Sequence, residues 1–200
     1  MLTPKRHASW PGFTLIEALV ALAILASLMS LGAPSLASFV RNQQIRGSLQ
    51  DLQSGLTLAR TEAMRRNARV SLWLVDQISA SCALSANGAA WVVSRDNPAG
   101  ACNAAASSRQ APRLVQSRGR GENGSGVLVT AVDAGGAPAN CVSFNGFGMP
   151  EATCGAGNPV ARIDLAQSGA RTLRLLIGAG GALQVCDPSI TDTSNAAACP

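Results

Sequence analysis

Residues 12–17 read G-F-T-L-I-E, and the run that follows, A-L-V-A-L-A-I-L-A-S-L-M-S-L-G-A-P-S-L-A-S-F-V over residues 18–40, contains no charged side chain. As a helix rising ~1.5 Å per residue, that run reaches about 34 Å, against a bilayer hydrocarbon core of about 30 Å. Lys5 and Arg6 precede it, so the positive-inside rule keeps the first residues in the cytoplasm and sends the rest outward. An ordinary secretory signal is cut after its apolar region, which is then lost. Here the small residue suited to cleavage, Gly12, stands in front of the apolar run, so cleavage there would leave the run in the mature chain. Gly32 and Pro34 are expected to weaken the helix late in the run, because proline removes a backbone donor and crowds the preceding turn. Glu17 is costly at the start of a membrane helix, by about 2.5–3.5 kcal/mol at the bilayer centre and less near its surface. It needs headgroup water or a cationic partner.

A second helical phase follows. Ile45, Leu49, Leu52, Leu56, Ala59 and Ala63 recur at alternating steps of four and three, with Gln43, Gln50, Gln53, Arg60 and Arg66 between them. This is an amphipathic stripe that ends near Asn67, where the pattern changes. The two segments together predict a helical rod over residues 13–67, roughly 80 Å long. Beyond it, short β-rich runs alternate with turn-forming stretches: residues 70–75, 91–94, 113–117, 127–132, 141–144, 161–166, 171–177 and 182–186. Residues 97–112 and 119–126 read as loops. Mainly antiparallel strands beside one long helix define an α+β class with a single head.

The inventory of residue types excludes most chemistry. The one histidine, His7, and the one lysine, Lys5, both precede Gly12. Cleavage after Gly12 would leave no Ser-His-Asp or Cys-His pair, no P-loop or Schiff-base lysine and no His-containing zinc site. Asp76, Asp96, Asp133 and Asp164 sit in no recognisable catalytic setting. The expectation is a protein that is not an enzyme and holds no cofactor and no metal. Formal charge is +5, and without Lys5 and Arg6 the balance is 14 arginines against 11 acids. That surplus is too small by itself to indicate nucleic acid.

Six cysteines, Cys82, Cys102, Cys141, Cys154, Cys186 and Cys199, all lie on the side that the charge rule sends to the periplasm, where disulfides persist. Six cysteines allow fifteen pairings. Sequential neighbours are favoured, because each such pair encloses a Gly-, Ala- or Asn-rich loop.

G-F-T-L-I-E ahead of a retained apolar run resembles the class III signal of type IV pilins and pseudopilins. The resemblance implies a leader over residues 1–12, a prepilin peptidase cutting between Gly12 and Phe13, and N-methylation of Phe13. It implies a transmembrane and filament-core helix over 13–40, an amphipathic helix over 41–69 and a periplasmic β-rich head over 70–200: the pilin fold, a long N-terminal helix packed on a mainly antiparallel sheet. Glu17 would meet the Phe13 amine of a neighbouring subunit during assembly. Pro34, twenty-second from Phe13, matches the family's weak point in the helix.

Residues 56–72 (L-T-L-A-R-T-E-A-M-R-R-N-A-R-V-S-L), 142–150 (V-S-F-N-G-F-G-M-P) and 173–186 (L-R-L-L-I-G-A-G-G-A-L-Q-V-C) are similar to the GspH/FimT group of minor pilins and pseudopilins. That group implies an inner-membrane subunit that helps initiate a type IV pilus or a type II secretion pseudopilus and sits near its tip. The implied partners are the prepilin peptidase, other minor and major pilins, and the inner-membrane assembly platform. The three candidate disulfides and the loop-rich head incline this reading toward the pilus. DNA-capturing FimT-like pilins resemble one another in a G-R-x-R sequence, and the corresponding G-A-L-Q at 181–184 lacks both arginines. Arg118 and Arg120, beside Arg109 and Arg113, offer a substitute basic loop. An uncut, single-span periplasmic protein is the alternative outside the family.

Overall fold

A computed structural model describes residues 12–121, 126–192 and 194–200. Residues 1–11 of the leader expected over 1–12, with Lys5, Arg6 and His7, lie outside them, as do residues 122–125 of the 119–126 loop. The chain divides into two compact units, Met1–Ser38 and Phe39–Pro200. Helix α1 (Leu15–Arg66) contains residues of both. The helical segments expected over 13–40 and 41–69 are therefore one element, and its assignment is unbroken at Gly32 and Pro34. A proline inside a helix deletes one hydrogen bond, and the ladder on either side can carry the helix past it.

Local chemistry sets both ends of α1. Thr14 caps the start: the Glu17 N–H donates to Thr14 Oγ1 (3.3 Å) and the Ala18 N–H to the Thr14 carbonyl (3.1 Å). Asn67, at φ 44°, closes the other end. Its N–H donates to the Met64 carbonyl and that of Ala68 to the Ala63 carbonyl, the paired bonds of a Schellman cap with asparagine in the left-handed position.

In the second unit, eight strands form two antiparallel four-stranded sheets instead of one. The first, in spatial order β3-β2-β1-β5, contains β1 (Val70–Val75), β2 (Ala90–Ser94), β3 (Leu114–Arg118) and β5 (Cys141–Phe144). The second, in order β4-β6-β7-β8, contains β4 (Leu128–Val132), β6 (Arg162–Ala166), β7 (Leu173–Ile177) and β8 (Leu183–Cys186). Both sheets contribute to one core around α1. Ile45, Leu49, Leu52, Leu56, Ala59 and Ala63 are no more than 5 % exposed. They cluster with Leu72, Leu74, Trp91 and Phe144 of the first sheet and with Val129, Ile163, Leu165 and Leu175 of the second.

The second sheet alternates buried and partly exposed positions, as a sheet with one covered face should. Strands β1, β2 and β5 are buried throughout. Their outer face is covered by two small satellite cores, one joining Val75, Val92, Cys82, Cys102 and Leu114, the other joining Trp73, Cys141 and Cys154. Stretches that read as loops thus roof a sheet.

Gly55 marks the tightest approach of α1 to the first sheet. A Cβ there would lie 2.8 Å from Leu72 Cδ1 and 3.0 Å from the Trp91 ring, whereas one at Gly47 meets nothing within 4 Å. Replacing a helical glycine by alanine gains up to ~1 kcal/mol where space allows. Overpacking a core costs about 1–3 kcal/mol. Gly47→Ala should therefore raise the midpoint of urea unfolding and Gly55→Ala should lower it; equal shifts would contradict the packing described.

Candidate functional site

The first unit presents an apolar surface with one carboxylate in it. Phe13 is 86 % exposed, and Leu15, Ile16, Leu19, Val20, Leu22, Ile24, Leu25, Met29 and Leu36 are exposed as well. Glu17 shares an exposed face of α1 with Ile16, Val20, Ala21 and Ile24, and no ion pair engages it among the described residues. It stands in the first turn of α1, where the helix dipole favours a negative charge. Thr14 escaped the sequence reading, although T-x-x-E at 14–17 is a recognisable helix-start spacing. Gly12 stands just outside the helix, with open space where a Cβ would be. Pro34 lies within α1. Among the described residues no helix is long and apolar enough to cross a membrane. The side chains of Leu28 and of residues 30–35, inside the apolar run, are outside the description.

All six cysteines are joined, Cys82 to Cys102, Cys141 to Cys154 and Cys186 to Cys199. The first two bonds lie in the satellite cores. The third closes the C-terminal segment onto the end of β8.

The arginines of the substitute basic loop are divided. Arg113 makes a two-pronged ion pair with Asp96, which holds that carboxyl below its usual range. Arg118, at the end of β3, reaches Asp51 of α1 at 3.1 Å. Arg109 and Arg120 are exposed. Two of the four charges are thus neutralised within the head, which weakens the case for a phosphate-binding loop. Gly181, in the turn that replaces G-R-x-R, has φ 76° and accepts a hydrogen bond from Arg60 of α1 (3.0 Å) through its carbonyl. The turn therefore serves packing between helix and hairpin.

Residues 48–181, which include the helix stripe from Leu49 onward, strands β1–β7 and Gly181, match the family described as type II transport protein GspH. The chain belongs to this family. Residues 12–33 match the prokaryotic N-terminal methylation motif. Comparison with the curated proteins and with solved structures found no match. Membership of the GspH family makes the chain a minor pseudopilin or pilin, a structural subunit that interacts with other such subunits.

One carboxylate ties the head's loops together. Asp133 Oδ1 accepts the N–H groups of Gly135 and Ala137 (both 2.9 Å), and its Oδ2 accepts from Asn158 Nδ2 (2.7 Å). The Asn158 hydrogen bond and these backbone donors lower the Asp133 pKa. A carboxyl depressed on folding contributes stability that is complete above the unfolded value of about 3.9 and is lost as pH falls through the lower folded value. Asp133→Asn should lower stability at pH 7, and its difference from the native chain should shrink as the pH drops below 4. Urea titrations at both pH values measure this.

Proposed function

We propose that prepilin peptidase cuts this GspH-family chain between Gly12 and Phe13 and methylates Phe13. The mature subunit is then held in the inner membrane by the run 18–40, with its head in the periplasm, and joins the initiating complex at or near the filament tip. The family description favours the type II secretion pseudopilus as the machine over the type IV pilus toward which the cysteine count inclined the sequence reading. The observation that carries the proposal is Glu17: an acid without an ion pair among the described residues, on a face of exposed apolar side chains, four residues beyond the amine that cleavage would create.

The pairing logic is electrostatic. An isolated charge among apolar side chains is expensive, while an opposite charge from a neighbour removes most of that cost and fixes the axial register between the two helices. Phe13 of a neighbouring copy or sister subunit supplies that amine. Three disulfides suit the oxidising periplasm.

Two measurements test the proposal. Mass spectrometry of the chain from cells with an active peptidase should find it starting at methylated Phe13; an intact N-terminus would favour the uncut, single-span alternative. Glu17→Val should be processed normally yet drop at least tenfold in filament fractions, and normal incorporation would remove Glu17 from assembly.

A further inference from the structure

The base of the head carries a charged cleft that the filament reading does not use. It measures about 190 Å³ and opens between α1 at Asn42 and Arg46, β7–β8, and the C-terminal segment. Arg46 and Arg171 line it, together with apolar Leu173 and Ile190. The Arg171 N–H donates to Asn42 Oδ1 (3.0 Å), which fixes its loop against the helix. Arg41, outside the cleft's lining, lies over Gly169, two residues before Arg171, where a side chain would collide with its Nη1. Unlike Arg113, Arg118 and Arg174, these three arginines form no ion pair among the described residues. The carboxylate lining the cleft, Asp187, is buried, accepts from the Ser189 N–H (2.9 Å) and hydroxyl (2.5 Å), and also feels the Arg171 charge, so the lining sets two guanidiniums against one carboxylate. The cleft is therefore net positive with an apolar wall.

Its position along the chain identifies the occupant. Asn42 and Arg46 follow the end of the uncharged run at Val40 by two and six residues, about 3–9 Å along a helix. If the run fills the hydrocarbon core, that interval starts inside the interfacial layer, roughly 5–7 Å deep on each side, and ends just above it, where a long arginine side chain can reach down to a phosphate. We propose that this cleft seats the phosphate headgroup of an anionic phospholipid of the outer leaflet, with Arg46 and Arg171 on the phosphate and Leu173 and Ile190 against the glycerol and upper acyl carbons. The proposal rests on membrane anchoring through residues 18–40. Lipid held there couples the base of the head to the bilayer before the subunit is extracted into a filament.

The test uses the full chain in neutral-detergent micelles, with thermal unfolding followed during titration with phosphatidylglycerol, phosphatidylcholine or inorganic phosphate. Phosphatidylglycerol should raise the melting temperature saturably at concentrations where the other two do little. At about 1 kcal/mol per basic residue near a charged surface, Arg46→Gln/Arg171→Gln should weaken that response roughly 30-fold. Arg46→Lys/Arg171→Lys should retain most of it, and Arg109→Gln/Arg120→Gln all of it. An equal response to phosphatidylcholine, full reproduction by inorganic phosphate, or an unchanged response in the glutamine pair would overturn the lipid site while leaving anchoring intact. A chain that needs no detergent to stay dissolved would overturn the anchoring reading, and this one with it.

Discussion

The head depends on the burial of one helix stripe between two sheets that share no strand. Ile45, Leu49, Leu52, Leu56, Ala59 and Ala63 alternate steps of four and three, the spacing that keeps successive side chains on one face of a helix. Residue size falls along the stripe, from Ile and Leu to Ala, and the close contact of Gly55 with Trp91 and Leu72 lies within it. Each sheet presents an apolar inner face that nothing but α1 and the opposite sheet can cover. If the stripe lost its register by a single residue, polar Arg46, Gln50 and Gln53 would face that core.

With the inner faces closed by the helix, the outer face of the first sheet needs its own cover. In a chain with four Phe, three Trp and no Tyr, that cover comes from disulfide-pinned loops instead of from aromatic bulk. Loops of 13 and 20 residues' separation cost conformational entropy that a covalent bond removes from the unfolded chain, about 3 kcal/mol each in the chain-entropy account. The arrangement is economical in apolar residues and restricts the fold to compartments where the sulfurs stay oxidised. It agrees with a periplasmic GspH-family subunit.

The same preference for pairing opposite charges runs from the head to the N-terminus, with different solutions. On the head, Asp164 serves Arg174 across the β6–β7 register, Asp96 serves Arg113 and Asp51 serves Arg118. Exposed pairs like these stabilise little, but they determine which guanidiniums stay available to a ligand. Among the described residues Glu17 has no such internal partner, and Arg41, Arg46 and Arg171 form no ion pair, although the Arg171 charge acts on Asp187. The groups left over lie at the start of the apolar run and just beyond its end, where a filament neighbour and a lipid surface would meet them.

Periodicity and punctuation made the elements legible from the sequence alone: the apolar run, the amphipathic stripe ending at Asn67, and eight strands whose expected bounds lie within two residues of those observed. These are local properties, encoded in spacing and in cap or turn residues. G-F-T-L-I-E likewise carried the methylation motif matched over residues 12–33, although the helix-capping role of Thr14 in it had no part in that resemblance. Only the tertiary structure decided that the strands divide into two sheets, that loops roof the first, and that Arg113 and Arg118 are neutralised while Arg46 and Arg171 line one cleft. Which strand edges meet and which charges pair depends on contacts between residues as far apart as Asn42 and Arg171, and no local pattern in a single chain records those distances.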